Sequence, residues 1–111
     1  MIIINGQFPF LPGKANEGKA AARRLRERVL REDVGVLLYD FYTDEFDKTL
    51  TVVEVYVDEK ALRKHVDASD FSGVFSAIDH PAGTVKVYGS LCTDVQNLLA
   101  SFGPFEQATP V

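Results

Sequence analysis

Hydrophobic and polar residues recur along the chain with two different periods, which predict strands and helices in turn. The apolar run at residues 2–8 predicts a first strand, and Pro12-Gly13 predicts the turn that follows it. From about residue 16 to 33, apolar residues recur every three or four positions, which predicts an amphipathic helix. Its apolar stripe contains several alanines, so we expect this helix to pack closely against a sheet.

Two more strands are predicted after this helix. Residues 36–42 and 49–57 are rich in β-branched and aromatic residues, and the polar segment at 43–48 predicts a hairpin loop between them. Both strands carry apolar side chains on both faces, so we expect both faces of the sheet to be covered. Helices can cover one face, and a second copy of the chain is the simplest cover for the other.

The second half of the chain predicts three helices and a further strand. Asp58 is a suitable N-cap for one helix, and apolar residues at helical spacing over 71–78 predict a short second one. Residues 84–88 predict the strand. Thr93 is a suitable N-cap for a last helix, which Gly103-Pro104 would end.

The order of these elements is that of a ferredoxin-like α+β domain. The split β-α-β plan with a fourth strand predicts a four-stranded antiparallel sheet with helices on one side. We expect one domain over residues 1–111, with a helical extension from about residue 93. The tail at 105–111 shows no pattern and is expected to be loose.

Composition and charge exclude several classes of function. Sixteen acidic against twelve basic residues give a net charge of -4, which disfavours nonspecific nucleic-acid binding. The apolar N-terminus is too short for a signal peptide or a membrane span, so we expect a cytoplasmic protein with no membrane partner. His65, His80 and the single cysteine, Cys92, lack the spacing of metal ligands, so we predict no metal site. The arginines of the first helix are expected to form a solvated face: Arg23, Arg24, Arg26, Arg28 and Arg31.

One stretch in the middle of the chain combines three features in a fixed order. A strand containing Tyr39 follows the first helix, and a second strand carries Glu54. The next helix contains Ala61-Leu62-Arg63-Lys64-His65, and Phe71 lies six residues beyond the histidine. In this combination the chain resembles the antibiotic-biosynthesis monooxygenase family.

The resemblance implies a dimeric α+β barrel, in which two sheets pack together and each subunit holds a ligand cavity between sheet and helices. Enzymes of the family oxygenate aromatic or quinol-like substrates with molecular oxygen and without metal or flavin, so no cofactor is expected. Some relatives bind and degrade haem, and other members have no known activity. Two positions depart from the family pattern, since Tyr56 occupies the place of a frequent tryptophan and Asp70 that of a second histidine. These departures count most against a haem-degrading role.

His65, Tyr56 and Asn5 are the candidate catalytic residues. The imidazole of His65 titrates near neutral pH, so it can accept a proton from an acidic phenol or hydroquinone. The hydroxyl of Tyr56 can orient a substrate oxygen, and some relatives use a first-strand asparagine such as Asn5 to hold substrate or dioxygen. Each also has a purely structural interpretation: a core histidine, a core tyrosine, and an asparagine that satisfies a backbone group.

Tyr39, Glu54, Phe71 and Phe75 are the candidate substrate-binding residues. The tyrosine and the two phenylalanines supply aromatic surface, although they can equally fill the core. Glu54 shares a strand face with apolar residues, where a carboxylate needs a partner. It can pair with a basic residue such as Lys86, or it can lie in the pocket as a base.

These features support two hypotheses about function. The first is a cofactor-independent monooxygenase that oxidises a hydroxylated aromatic or quinol-type small molecule with O2. The second is a non-enzymatic homodimer of the same fold that binds a small ligand. His65 and the abundant aromatic residues favour the first hypothesis, whereas the missing tryptophan and Asp70 favour the second.

Overall fold

The chain folds into a five-stranded sheet that carries helices on one of its faces. A computed structural model describes residues 1–111. In chain order the elements are β1 (Ile2–Pro9), α1 (Ala15–Glu32), β2 (Val36–Thr43), β3 (Thr49–Tyr56), α2 (Glu59–Ala68), α3 (Ser72–Phe75), a 3-10 turn (His80–Ala82), β4 (Thr84–Tyr88), α4 (Thr93–Ala100) and β5 (Glu106–Ala108). The order β-α-β-β-α-β up to β4 confirms the α+β, ferredoxin-like prediction. None of the helices has the length and hydropathy that a bilayer-spanning segment requires.

The sheet has the strand order β2-β3-β1-β4-β5. The first four strands pair antiparallel, and β5 adds to the edge of β4 in parallel. The prediction of a four-stranded sheet with a loose tail is therefore wrong. The amide of Gln107 donates to the Gly89 carbonyl at 3.0 Å, and Lys86 pairs with Glu106 at 3.3 Å. A strand of three residues is too short to show the alternation that marks the others.

The structure confirms one of the two predicted N-cap residues and corrects the other. The side chain of Asp58 accepts from the backbone N–H of Ala61 at 2.9 Å, which confirms it as the N-cap of α2. Thr93 is instead the first residue of α4, and Cys92 precedes it without a side-chain cap. The backbone N–H of Cys92 donates at 3.0 Å to the carboxylate of Glu59, a contact between helices that local sequence does not reveal.

The core lies between the helices and one face of the sheet. The apolar stripe of α1 is buried as its spacing predicts, and Val29 is fully buried. On β3 the residues that face the helices are, as alternation requires, Leu50, Val52, Glu54 and Tyr56. This alternation places a single carboxylate among the apolar side chains of the inner face.

The opposite face of the sheet, which we call the open face, carries no helix. The registers of four strands align Leu38, Val55, Ile3 and Tyr88 in one row across it. Leu38 is 36% exposed and Tyr88 is 45% exposed. The next row on this face is mixed, and the row beyond it is largely polar, with Tyr42, Thr51, Gln7 and Thr84.

The C-terminal extension folds back over the helical side of its own subunit. After α4, the ring of Phe102 contacts Phe71 at 5.7 Å and Phe75 at 6.2 Å between ring centroids. The backbone then continues through 103–105 into β5. The extension therefore closes the space between the sheet and the short helix α3.

Candidate active site

A cavity of about 140 Å³ lies between the inner face of the sheet and the helices. Seventeen of the twenty-three residues that line it are hydrophobic, so water is poorly accommodated inside. The C-terminal extension forms part of its wall through residues 102–105. Five of the seven predicted site residues line the cavity: Tyr39, Glu54, His65, Phe71 and Phe75.

The other two predicted site residues do not line the cavity. Tyr56 is fully buried beneath Glu54 and donates its hydroxyl hydrogen bond to the Glu54 carboxylate. Asn5 lies on the open face, because strand alternation turns its neighbours Ile4 and Gly6 towards the cavity instead. The Tyr56 hydroxyl therefore bonds to Glu54 and does not line the cavity, and Asn5 is separated from the cavity by the sheet.

His65 is the central polar residue of the cavity. It lies on α2, is 1% exposed, and packs against the rings of Tyr39 at 4.8 Å and Phe71 at 5.6 Å. Its Nδ1 atom lies 2.8 Å from a carboxylate oxygen of Asp33. Its Nε2 atom has no hydrogen-bond partner, and the nearest carboxylate oxygen, on Glu54, is 3.8 Å away. An unpartnered buried nitrogen in an apolar cavity is available to a ligand.

Asp33 and Arg28 form an ion pair behind the histidine, and no pattern in the sequence indicates it. The guanidinium of Arg28 donates two hydrogen bonds to the carboxylate of Asp33, at 2.9 and 3.1 Å. A third bond, at 2.6 Å, runs from Arg28 to the hydroxyl of Ser69, which donates to the His65 carbonyl. The prediction that Arg28 belongs to a solvated face is wrong, because α1 turns this arginine towards α2.

This ion pair fixes the protonation of the histidine. Burial raises the pKa of Asp33, but hydrogen bonds from Arg28 and His65 outweigh it, so the pKa lies below its ordinary value. An ionised carboxylate can only accept, so the proton of the neutral imidazole lies on Nδ1. Burial lowers the pKa of His65 below its ordinary 6.5, against the opposing effect of Asp33. At neutral pH, Nε2 therefore presents a lone pair to the cavity.

Glu54 is the second polar group at this end of the cavity. Burial raises its pKa from 4.5 to about 7, and the hydrogen bond from Tyr56 opposes the rise. The predicted pairing with Lys86 is wrong, because Lys86 points to the open face and pairs there with Glu106. Near neutral pH the carboxyl is present in both protonation states. The cavity thus combines a proton acceptor on His65 with a carboxyl that can accept or donate.

His80 lies in the 3-10 turn that precedes β4. Its ring also lines the cavity. No signal in the local sequence indicates this role, because the residues around it come from β1, α3 and the C-terminal extension. No group of three or more histidine, cysteine or acidic side chains is arranged to hold a metal ion.

The fold and the site together define a class: an α+β domain that encloses an apolar cavity with a buried histidine and carboxylates at one end. The chain belongs to the antibiotic biosynthesis monooxygenase family, whose model matches residues 1–75. The matched segment contains His65, Asp33, Arg28, Glu54 and Tyr39. No curated protein sequence matches the chain.

Solved structures share the fold at low sequence identity. MupZ from Pseudomonas fluorescens is 17% identical with a TM-score of 0.77, and the match covers 99% of this chain and 89% of MupZ. A Nitrosomonas europaea protein classed with the antibiotic biosynthesis monooxygenases is 18% identical with a TM-score of 0.71, covering 83% of this chain and all of that protein. A Caulobacter crescentus protein of the same class is 20% identical with a TM-score of 0.67, covering 78% and 85%.

Proposed function

We propose that the chain is a cofactor-independent monooxygenase that oxidises a hydroxylated aromatic or quinol-type molecule with O2. The observation that carries the proposal is the unpartnered Nε2 of His65, buried in an apolar cavity while Asp33 holds the other ring nitrogen. Membership of a family named for monooxygenases supports the reaction class. The aromatic lining, which includes Tyr39, Phe71 and Phe75, supports an aromatic substrate.

The proposed reaction begins with removal of the substrate's hydroxyl proton by Nε2 of His65. The resulting phenolate is electron-rich, and in a cavity with little water it reacts with O2 at a ring carbon that carries hydrogen. One oxygen atom remains on that carbon as the second carbonyl of a quinone. The other leaves as water with the two hydrogens that the substrate loses, so no external reductant is required. Protonated Glu54 can supply the proton that the departing oxygen needs.

Oxygen uptake by the purified protein, with hydroquinones and anthrone-like phenols as substrates, tests this function. We expect at least one member of the panel to give uptake above the uncatalysed rate and, with 18O2, one labelled oxygen atom in its quinone product. Hydrogen peroxide as the main product would instead indicate simple autoxidation. If the panel binds but no uptake occurs, the second hypothesis, a small-ligand-binding protein, is favoured, since the largely apolar lining suits that role equally.

Replacing Asp33 with asparagine is expected to lower kcat/KM by about tenfold to a hundredfold. The amide can donate to Nδ1, which moves the imidazole proton to Nε2 and removes the lone pair from the cavity. Steady-state oxygen uptake measures the effect, and the exposed Asp67→Asn on α2 is the control. An unchanged kcat/KM in a folded Asp33→Asn protein would show that Asp33 does not set the tautomer.

We further propose that the protein is a homodimer that joins through the open face. Dimers are common in this family. The apolar row formed by Leu38, Val55, Ile3 and Tyr88 supports this arrangement, because a second copy would remove it from water. The lysine and aspartate on this face, Lys86 and Asp40, are already paired with Glu106 and Arg26 in the same subunit.

Replacing Val55 with aspartate is expected to convert the dimer to a monomer. The substitution places a charge in the middle of the apolar row, where burial of an unpaired carboxylate is strongly unfavourable. Thr51→Asp is the matched control, because it adds the same charge to the same face of β3 within the polar row. Light scattering after size-exclusion chromatography measures the mass. A dimer that survives Val55→Asp but not Thr51→Asp would place the interface elsewhere on the sheet.

A further inference from the structure

We propose that His80 is a specificity-determining residue, which recognises the polar group at the far end of a one-ring aromatic ligand. The ligand's other polar group, its reacting hydroxyl, lies at His65. The inference rests on the proposed function only in placing that hydroxyl beside Nε2.

The first support is the way in which the ring of His80 is held. It stacks on Phe8 with a centroid distance of 5.3 Å and an interplanar angle of 14°, and it meets Phe75 edge-on at 5.1 Å. Its nitrogens make none of the protein's side-chain hydrogen bonds, although the ring lines the cavity. A rigidly packed imidazole with free nitrogens can donate to, or accept from, a ligand.

The second support is the position of His80 relative to His65. Phe71 contacts His65 at 5.6 Å and Phe75 at 5.8 Å, and Phe75 contacts His80, so phenyl rings form a continuous wall between the two imidazoles. Beneath this wall, β1 pairs Ile4 with Glu54 at the His65 end, whereas His80 stacks on Phe8.

Those positions on β1 are four residues apart, which corresponds to about 13 Å along a strand. A benzene ring with hydroxyls at opposite positions spans roughly 11 Å when each hydroxyl makes a hydrogen bond. A para-disubstituted single ring is therefore comparable in length to the interval between these two positions of β1.

The third support is the size of the cavity. An apolar protein cavity of about 150 Å³ accommodates one benzene ring, and this cavity has about 140 Å³. At the His80 end, Gly103 lies against the His80 ring. Its backbone φ of +129° favours glycine, and a Cβ atom there would lie 3.0 Å from the ring. The space thus suits one ring with a polar group at each end.

Calorimetric titration without oxygen tests the role of His80, with hydroquinone and 4-methylphenol as ligands. The two molecules have nearly the same shape, but only hydroquinone has a second hydroxyl. We expect the wild-type protein to bind hydroquinone about tenfold more tightly, since only hydroquinone has a second hydroxyl that can form a hydrogen bond with the partly buried ring of His80. A wild-type protein that binds both equally would overturn the proposal without any variant.

His80→Phe is the informative variant, because phenylalanine keeps an aromatic ring between Phe8 and Phe75 but removes both nitrogens. We expect it to bind 4-methylphenol at least as tightly as the wild-type protein and to lose the preference for hydroquinone. A preference that persists in His80→Phe would overturn the assignment.

The one-ring size of the ligand is tested with 9,10-dihydroxyanthracene, which is expected to bind at least tenfold more weakly than hydroquinone. If 9,10-dihydroxyanthracene binds as tightly as hydroquinone or more tightly, the ligand is not limited to one ring.

The titration separates this inference from the proposed function. Selective binding through His80 without any oxygen uptake would overturn the monooxygenase and leave the recognition role standing. Oxygen uptake without discrimination between the two ligands would overturn the role of His80 and leave the reaction standing.

Discussion

Replacing His65 with glutamine is expected to lower kcat/KM for oxygen uptake by about a hundredfold or more. A positioned general base contributes roughly 10²- to 10⁴-fold, and Nε2 of His65 is the unpartnered basic nitrogen at the carboxylate end of the cavity. The glutamine amide can still donate to Asp33, so the buried carboxylate keeps a partner and the fold should persist. The amide oxygen has no comparable basicity, so the proton acceptor is lost.

The matched control is Lys64→Ala, one residue earlier on the exposed side of α2, which should leave kcat/KM unchanged. Because burial lowers the pKa of His65, the wild-type protein should keep its free base below pH 6.5, and the proposed activity should fall only as pH falls further. Activity of His65→Gln within tenfold of wild type, in a protein with unchanged circular dichroism, would remove His65 from the mechanism.

The fold could be predicted from the sequence wherever a periodic pattern extends over several turns or residues. The stripe of α1 and the alternation in β3 each predict an element and the direction of its side chains, including the inward position of Glu54. β5 could not be predicted, because its three residues depend on pairing with β4 for their conformation. The predicted N-cap of α4 is wrong by one residue, and the Cys92 N–H at that position donates to Glu59, a distant residue.

The site was predictable only in part, for a related reason. His65 and Glu54 are recognisable as polar residues at positions that face the core. Their partners depend on tertiary contacts, since Asp33 is 32 residues from His65, and Arg28 is 41 residues from Ser69. Periodicity describes each element alone and contains no information about which polar groups meet between elements. The same limitation applies to His80, whose neighbours come from distant segments.

The family model covers the two ends of the cavity to different extents. The residues around His65 lie within the segment that the family model matches, residues 1–75. At the other end, His80 and the C-terminal extension lie outside it, whereas Phe8 and Phe75, which contact the His80 ring, lie inside it. The match to MupZ covers 99% of this chain, whereas two other structural matches cover 83% and 78%. The family model therefore covers the polar groups around His65, and the His80 end only in part.

Replacing Glu54 with glutamine is expected to make the protein more stable than the wild type at pH 8. At pH 4 the gain in stability is expected to be much smaller. Burial raises the pKa of this carboxyl to about 7 in the folded protein, against an ordinary value of 4.5. The folded state therefore binds the proton more tightly than the unfolded state does. Wild-type stability from this group is fully present below about pH 4.5 and is lost as pH rises to about 7.

The expected effect is large for a single side chain. A pKa shift of this size corresponds to about 3 kcal/mol of unfolding free energy, which the wild-type protein loses as pH rises. The Glu54→Gln protein would not show this loss, because its amide does not ionise. The amide oxygen can still accept from Tyr56, so the hydrogen bond is kept. His65 contributes a pH dependence of the opposite sign, because burial lowers its pKa, but it is present in both proteins and cancels in the comparison.

Urea unfolding at pH 4 and pH 8 measures this difference, with the exposed Glu27→Gln on α1 as the control that should change little at either pH. A stability gain for Glu54→Gln that does not grow with pH would show that the carboxyl is not held in an unfavourable ionised state. If the gain appears together with a loss of oxygen uptake, the destabilising carboxyl is retained for its chemistry. If uptake is instead unchanged, Glu54 is only a neighbour of the base, and His65 alone handles the proton.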